Sequence, residues 1–164
     1  MNIVLVEPEI PQNTGNIART CAATGTTLHL VRPLGFSTSD RYLKRAGMDY
    51  WKSVDVRYYE NLGDFFNNNT GGNFYYASTK ASKSYNEIKF AENDYLIFGK
   101  ETKGLDEKLL SINYDRCIRI PMMSGSRSLN LSNAAAIILY EALRQNNYNN
   151  LKIEGELTYD SKNC

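Results

Sequence analysis

Short apolar runs of strand length recur along the chain with helix-like segments between them, and this alternation limits the possible folds more than any other feature. The apolar runs are Ile3–Val6, Leu28–Val31, Val54–Tyr59, Phe74–Ala77, Tyr95–Phe98 and Cys117–Ile120. The helix-like segments are Asn13–Thr24, Asp40–Ala46, Leu62–Phe66 and Asp106–Ile112. Strands that alternate with helices usually join into a parallel sheet. The pattern therefore predicts an α/β domain with a mostly parallel sheet flanked by helices.

The last helix-like segment, Ala134–Leu143, is apolar on nearly every face and is interrupted only by Glu141. A helix at the surface of a globular domain normally has a single apolar stripe. We therefore expect this helix to be covered on two sides. In so small a domain the second cover is expected to be another subunit.

Length and composition predict a single soluble domain. The chain has 164 residues, of which 42% are hydrophobic and 23% charged, which suits one ordinary globular domain. We expect this domain over residues 1–150 and a polar tail over residues 151–164. The start of the chain lacks the features of a signal peptide, and no run approaches the roughly 20 apolar residues of a membrane span. We therefore expect a cytoplasmic protein that does not enter a membrane.

The sequence contains few residues suited to a metal site or to nucleophilic catalysis. Cys21, Cys117 and Cys164 are far apart and form no C-x-x-C pair, which argues against a disulfide framework and a zinc site. The only histidine, His29, lies between two leucines in a predicted strand and is expected to be structural. The glycine patterns of dinucleotide-binding folds, P-loops and α/β-hydrolases are absent. We expect no bound metal.

The net charge of +1 does not indicate a nucleic-acid-binding protein, because dedicated RNA-coating proteins are usually strongly basic. A neutral protein can still carry a local basic face. Residues 32–57 contain six basic and three acidic side chains, a local balance of +3. This balance is compatible with an RNA contact but does not by itself establish one.

Three polar, glycine-containing segments follow predicted strands, where open α/β sheets bind their ligands. They are Pro11–Arg19, Phe98–Leu105 and Ile120–Ala136. In the first segment, Asn13 could cap a helix, and the backbone N–H groups near Gly15 and Asn16 could be free to bind an anion. Arg19 could then bind a phosphate through two parallel hydrogen bonds. An ordinary helix cap followed by a surface arginine explains these residues more simply.

The other two segments also have an ordinary explanation. Glycine-rich turns after strands are common, so the second segment is explained as well by a plain turn as by a ligand loop. The third segment contains more hydrogen-bonding groups than one helix cap can use. For this segment ligand binding and ordinary capping stay equally open on the pattern alone.

Taken together, the three segments resemble the three motifs of the SPOUT superfamily of RNA methyltransferases. The first motif, N-x-G-N-x-x-R, is matched by Asn13, Gly15, Asn16 and Arg19. The second, G-x-E-x-x-G-L, is matched by Gly99, Glu101, Gly104 and Leu105. The third is matched by Ile120, Pro121, Met122, Ser128, Asn130, Leu131, Ser132, Ala134 and Ala135. The likeness runs from about Asn2 to Leu143.

Two further stretches resemble the subfamily that methylates the ribose of the tRNA wobble nucleotide. These are LKRAGMDYW at Leu43–Trp51 and the opening EPEIPQNTGNIART. Lys100 departs from the pattern, since several relatives have proline there. The resemblance implies a tRNA 2′-O-methyltransferase that acts in the anticodon stem-loop, on cytidine or a modified uridine.

For the fold, the resemblance implies a C-terminal trefoil knot and an obligate homodimer with its active site at the subunit interface. It also implies that S-adenosylmethionine is bound and S-adenosylhomocysteine released. The cofactor-binding residues implied are Ala77, Ser78, Gly99, Glu101, Gly104, Ile120, Met122, Ser128, Leu129, Asn130 and Ala134.

For the chemistry, the resemblance makes Arg19 the central catalytic residue, with Asn13 and Asn16 orienting it and the ribose. The expected RNA contacts are Arg41, Lys44, Arg45 and Arg127, and Tyr50 or Trp51 could stack on a base. Surface or core packing explains the five side chains between residues 41 and 51 about equally well. Three alternatives stay open: methylation of another RNA, a non-catalytic RNA-binding role, and a flavodoxin-like ligand-binding domain.

Overall fold

A computed structural model describes residues 1–37, residue 51 and residues 53–157 of the chain. The predicted helix Asp40–Ala46 and most of the LKRAGMDYW stretch lie outside these residues. No helix within the described ranges is long and apolar enough to cross a membrane.

The described strands form one seven-stranded sheet in which every strand pairing is parallel. The strands are β1 (Asn2–Val6), β2 (Thr27–Val31), β3 (Val56–Tyr59), β4 (Phe74–Ala77), β5 (Lys83–Ser84), β6 (Tyr95–Phe98) and β7 (Cys117–Arg119). Their order across the sheet is β3-β2-β1-β6-β4-β7-β5. The predicted α/β class and parallel sheet are confirmed. The two-residue strand β5 was not predicted, because it is too short to produce an apolar run.

Four helices flank the sheet within the described residues. They are α1 (Pro11–Thr24), α2 (Leu62–Asn68), α3 (Glu107–Ile112) and α4 (Leu131–Gln145). Three begin at a polar cap, since Asn61, Asp106 and Asn130 each accept a backbone N–H of the first turn. Helix α1 ends at Gly25, whose φ of 64° is the left-handed conformation that favours glycine.

Helix α1 begins earlier than the sequence pattern predicts, and this corrects the interpretation of the first segment. Ile10 is the N-cap residue and Pro11 opens the helix, a position where the missing N–H of proline costs nothing. Asn13 is therefore not the cap. Gly15 and Asn16 lie inside the helix, where backbone N–H groups bond to carbonyls one turn earlier and are not free for an anion.

The core lies on both faces of the sheet, because alternate residues of each strand point to opposite sides. Along β1, Ile3 and Leu5 pack in the cluster that contains α1 and α4. Val4 and Val6 pack in the other cluster, which contains α2 and α3. Burial on both faces explains why the strands appear in the sequence as continuous apolar runs.

Within the described residues, helix α4 is covered on one side only. It buries Ile138 and Leu139, which are 1% and 0% exposed, in the core. Its outer face leaves the apolar side chains of Ile137 and Tyr140 38% and 46% exposed. The described residues thus supply one of the two covers that the sequence predicts for this helix, and the second cover stays a prediction.

The expectation that His29 is structural agrees with its surroundings. The imidazole is fully buried, with Nδ1 2.9 Å from the Tyr59 hydroxyl and Nε2 3.2 Å from Asn2 Oδ1. Burial and the nearby Arg57 lower the pKa of His29 from 6.5 to about 4. The buried thiols of Cys21 and Cys117 are unpaired, and burial raises the pKa of Cys21 to about 12.

The lowered pKa of His29 predicts a loss of stability in mild acid. The unfolded chain, with a His pKa near 6.5, takes up a proton that the folded protein binds only near pH 4. Stability contributed by neutral His29 is therefore complete above about pH 6.5 and falls as the pH approaches 4. The free energy of unfolding should drop by about 2 kcal/mol between about pH 7 and pH 5 from this group.

Urea unfolding of the parent and of His29→Gln at the two pH values measures this loss. Gln cannot ionise, and the carboxylates titrate in both proteins, so the difference between the two drops isolates His29. An equal drop in both proteins would contradict the prediction.

Candidate functional site

A cavity of about 440 Å³ opens at the carboxyl ends of three neighbouring strands. Its floor includes Ala77 at the end of β4, Phe98 at the end of β6 and Ile118 in β7. Ile138 of α4 closes one side. This is the edge at which parallel sheets bind ligands, and the volume suits a molecule of cofactor size.

The loop 99–105 forms one wall of the cleft and doubles back tightly on itself. Gly104 donates its N–H to the Lys100 carbonyl at 2.8 Å and has a φ of 69°. A Cβ on Gly99 would lie 2.1 Å from the Gly104 carbonyl carbon and 2.2 Å from the Leu105 nitrogen. The loop can therefore take this shape only with glycine at position 99.

The segment 120–130 forms the opposite wall. Met122, Ser128 and Leu129 line the cleft, although most of the segment is exposed. It ends at Asn130, whose Oδ1 accepts the N–H of Ser132 at 2.9 Å and so caps α4. The cap explains part of the polar content of this segment, as one of the two open interpretations proposed.

The buried side chain of Asn13 joins all three segments. Its Nδ2 donates to Glu101 Oε1 at 2.9 Å, and its Oδ1 accepts from Asn130 Nδ2 at 2.9 Å. Asn13 is only 5% exposed. A residue expected to be a helix cap is instead the bridge between the two walls of the cleft.

The carboxylate of Glu101 accepts two further hydrogen bonds from the two residues just before α1, Glu9 and the N-cap residue Ile10. The backbone N–H of Glu9 donates to Oε2 at 2.8 Å, and the N–H of Ile10 donates to Oε1 at 3.2 Å. Since a helix leaves its first N–H groups without partners, this carboxylate serves as a cap supplied from a distant part of the chain.

All eleven residues expected to bind the cofactor line this one cleft. They are Ala77, Ser78, Gly99, Glu101, Gly104, Ile120, Met122, Ser128, Leu129, Asn130 and Ala134. The structure brings them together, and their role in binding stays a prediction.

The residues expected on the RNA side are placed differently. Asn13 lines the cleft, but Asn16 and Arg19 lie on the exposed face of α1 and are not among its lining residues. Arg127 is exposed in the segment 120–130 and also does not line the cleft. Of the other expected RNA contacts, Arg41, Lys44, Arg45 and Tyr50 lie outside the described residues. Trp51 is described, and it is partly buried against the core cluster that contains α1 and α4.

Sequence reasoning missed several lining residues. Thr79 and Lys80 follow directly after the end of β4, so the rule that ligands bind at strand ends could have found them. Ile10 and Ile138 give no comparable signal, because only tertiary packing brings them to the cleft. Lys103 and Arg119 add positive charge to the lining, which suits an anionic group on a ligand, whereas Lys80 is paired with Glu107.

No cluster of three or more His, Cys, Asp or Glu side chains suited to a metal ion occurs in the part of the chain that the structure describes.

Comparisons with known proteins agree with this architecture. The model of the SpoU rRNA Methylase family matches residues 1–140. A relative from Saccharophagus degradans, named tRNA (cytidine(34)-2′-O)-methyltransferase, is 50% identical over 145 residues, which is 88% of this chain and 94% of the relative. A solved structure described as giving insights into the 2-OH methylation of C/U34 on tRNA is 46% identical, with a TM-score of 0.85, and the match covers 89% of this chain and 95% of that one.

A less similar solved structure contains a bound cofactor. The SpoU methyltransferase AviRb from Streptomyces viridochromogenes, solved in complex with the cofactor AdoMet, is 25% identical with a TM-score of 0.80. The match covers 89% of this chain and 57% of AviRb.

The parallel sheet with its three-segment cleft, taken with these comparisons, defines a methyltransferase of the SPOUT class. Within that class, the chain belongs to the SpoU methylase family. The trefoil knot that the class implies stays a prediction.

The close approach at Gly99 predicts that even a methyl group there damages the cleft. Because the added Cβ would overlap backbone atoms, Gly99→Ala must push the loop 99–105 out of shape. We expect the affinity for S-adenosylmethionine to fall roughly tenfold or more. Calorimetric titration measures the change.

Gly71→Ala is the matched control, because nothing lies within 4 Å of the Cβ it would add. It should bind as the parent does. Parent-like affinity in Gly99→Ala would show that the loop has no part in binding.

Proposed function

We propose that this protein is a tRNA 2′-O-methyltransferase that transfers a methyl group from S-adenosylmethionine to the ribose of the wobble nucleotide, cytidine or a modified uridine. The observation that carries the proposal is the cleft, in which Asn13 bridges Glu101 and Asn130 at the ends of parallel strands. The name of the 50% identical relative supports the same substrate position.

The cleft fits S-adenosylmethionine in size and in character. Its volume of about 440 Å³ lies in the range of small-molecule sites. Phe98, Ile118 and Ala134 provide apolar surface for the adenine, and backbone groups of Gly99, Ile120 and Leu129 are suited to hydrogen-bond its edge. When bound, the cofactor would supply an electrophilic methyl group on a sulfonium.

The protein must hold the ribose hydroxyl in line with that methyl group and exclude water. Asn13 and Glu101 fix the start of α1, and the same helix carries Asn16 and Arg19 on its exposed face. In this proposal Arg19 binds the phosphate next to the target ribose and stabilises the alkoxide that develops on the 2′-oxygen. A guanidinium is a poor general base, so the proton leaves to phosphate or to water.

We also propose that the active protein is a cytoplasmic homodimer that needs no metal. Arg19 does not line the cleft of its own subunit, so a second subunit is a natural way to complete the site. The outer face of α4, with Ile137 and Tyr140, is an apolar surface on which a second copy could pack. The dimer would then hold the anticodon stem-loop at the interface between the two copies.

The first test separates catalysis from cofactor binding. Arg19→Ala should bind S-adenosylmethionine nearly as the parent does while losing about two orders of magnitude or more in the methylation rate. Arg19→Lys should also be poor, since an ammonium cannot grip phosphate with two parallel hydrogen bonds. Calorimetry gives the cofactor affinity, and single-turnover methylation of tRNA, with the 2′-O-methyl mark located by mass spectrometry, gives the rate.

Two further variants serve as a comparison and a control for this test. Ser128→Ala, in the cleft wall, should weaken cofactor binding before it affects the rate, and Arg116→Ala, an exposed arginine elsewhere, should change neither. Full turnover in Arg19→Ala would contradict the catalytic role proposed for Arg19. A loss of turnover that is caused only by lost cofactor binding would contradict it as well. A methyl mark on another nucleotide would instead favour the alternative of another RNA substrate.

The second test concerns the dimer. Ile137→Asp should give folded monomers, because the side chain is partly exposed in the subunit but a carboxylate in an apolar interface is costly. Ile138 is unsuitable for this purpose, since it is buried in the subunit core and its replacement by Asp would unfold the protein. Sedimentation velocity measures the mass.

Ile112→Asp, at a side chain that is 81% exposed and outside α4, is the control and should remain dimeric. A monomeric parent protein, or an Ile137→Asp variant that stays dimeric, would contradict the proposed interface.

A further inference from the structure

The segment that joins β1 to α1 carries two carboxylates, Glu7 and Glu9, for which the proposed chemistry has no use. Neither lines the cleft. Both reach the loop 99–105, which lies more than 90 residues away in the sequence and forms a wall of the cleft.

The carboxylate of Glu9 contacts both the backbone and the side chain of Thr102 in the loop 99–105. Its Oε2 accepts the backbone N–H of Thr102 at 3.1 Å, and its Oε1 accepts the Thr102 hydroxyl at 3.0 Å. The backbone N–H of Glu9 in turn donates to Glu101 at 2.8 Å. Two consecutive loop residues are thus tied to one residue of the connecting segment.

Glu7 holds the loop through an ion pair. Its Oε2 lies 2.6 Å from Nζ of Lys100. Glu7 has a φ of 51°, a left-handed conformation that glycine would adopt without strain. Glycine would suit the backbone here, but only an acidic side chain can pair with Lys100.

The opposite side of the segment is also fixed. Gly35 donates its N–H to the Pro8 carbonyl at 2.9 Å, and a Cβ on Gly35 would lie 2.7 Å from the Glu9 Cα. Glu9 is therefore held in place between the loop 99–105 and the connection that follows β2. A carboxylate anchored in this way can define the position of the loop 99–105.

We propose that Glu9 and, to a smaller extent, Glu7 are positioning residues that hold the loop 99–105 in its cofactor-binding shape. They act through Thr102 and Lys100 and touch neither cofactor nor RNA. This inference rests on the proposed function only in taking S-adenosylmethionine as the ligand of the cleft.

The test measures cofactor affinity and turnover on the same variants of the full chain. Glu9→Ala should raise the Kd and KM for S-adenosylmethionine about tenfold, because two hydrogen bonds to a charged acceptor are lost. The kcat at saturating cofactor should stay within about twofold, since added ligand restores the loop. Glu9→Gln keeps one acceptor oxygen and should recover part of the affinity.

Two further variants separate positioning from general stability. Glu7→Gly removes the ion pair but relieves the backbone, so it should raise the Kd about threefold without lowering the unfolding temperature. Thr102→Val should weaken binding in the parent but add nothing to Glu9→Ala, because the contact is already gone. Glu154→Ala, at an exposed carboxylate near the end of the described chain, is the control.

An unchanged Kd in Glu9→Ala would overturn the inference, as would a fall in kcat with KM unchanged or additive effects of Glu9→Ala and Thr102→Val. If Glu9→Ala does not fold, Thr102→Val and Glu7→Gly still decide the matter by their Kd values. A parent that binds S-adenosylmethionine but does not methylate tRNA would defeat the proposed function and leave the Kd test intact. A parent that methylates tRNA, with Kd values unchanged in the variants, would defeat only the positioning role.

Discussion

The side-chain amide of Asn13 is the contact on which the geometry of the cleft depends. It donates to Glu101 and accepts from Asn130, so a single buried group connects the start of α1 with both walls. Without it, the Glu101 carboxylate and the Asn130 amide would each lose a partner in a partly buried place. An unsatisfied buried group costs about 1–3 kcal/mol, so the three segments are stabilised as one network.

The parallel sheet brings these segments to one place. Strands β1, β4, β6 and β7 run in the same direction, so the segments that leave their carboxyl ends emerge at one edge. Close packing then sets the details. Gly99 lets the loop fold against its own backbone, and the carboxylate of Glu101 caps a helix far away in the sequence. The cleft is therefore a product of topology first and of hydrogen bonding second.

The division between the cleft and the exposed face of α1 suits a two-substrate enzyme. Cofactor-sized space lies on one side of Asn13, while Asn16 and Arg19 face outward on the next turns of the same helix. A helix anchored at its start by Glu101 can hold its outer side chains in a defined position, which in-line transfer demands. Membership of the SpoU methylase family agrees with this arrangement.

The sequence by itself determined the α/β class and six of the seven strands, and its resemblance to the SPOUT motifs identified the eleven expected cofactor-binding residues that line the cleft. Strands buried on both faces are continuous apolar runs, and the motif residues are specific in type and spacing, so local patterns were enough. Tertiary structure alone decided that Asn13 is a bridge and not a cap, and that Ile138 faces the core while Ile137 faces outward. It also decided that Glu7 and Glu9 reach the loop 99–105. The contacts of Asn13 and Glu9 join residues about 90 to 117 positions apart in the sequence. Local propensity cannot encode such a contact, because the two residues come together only once the sheet has formed.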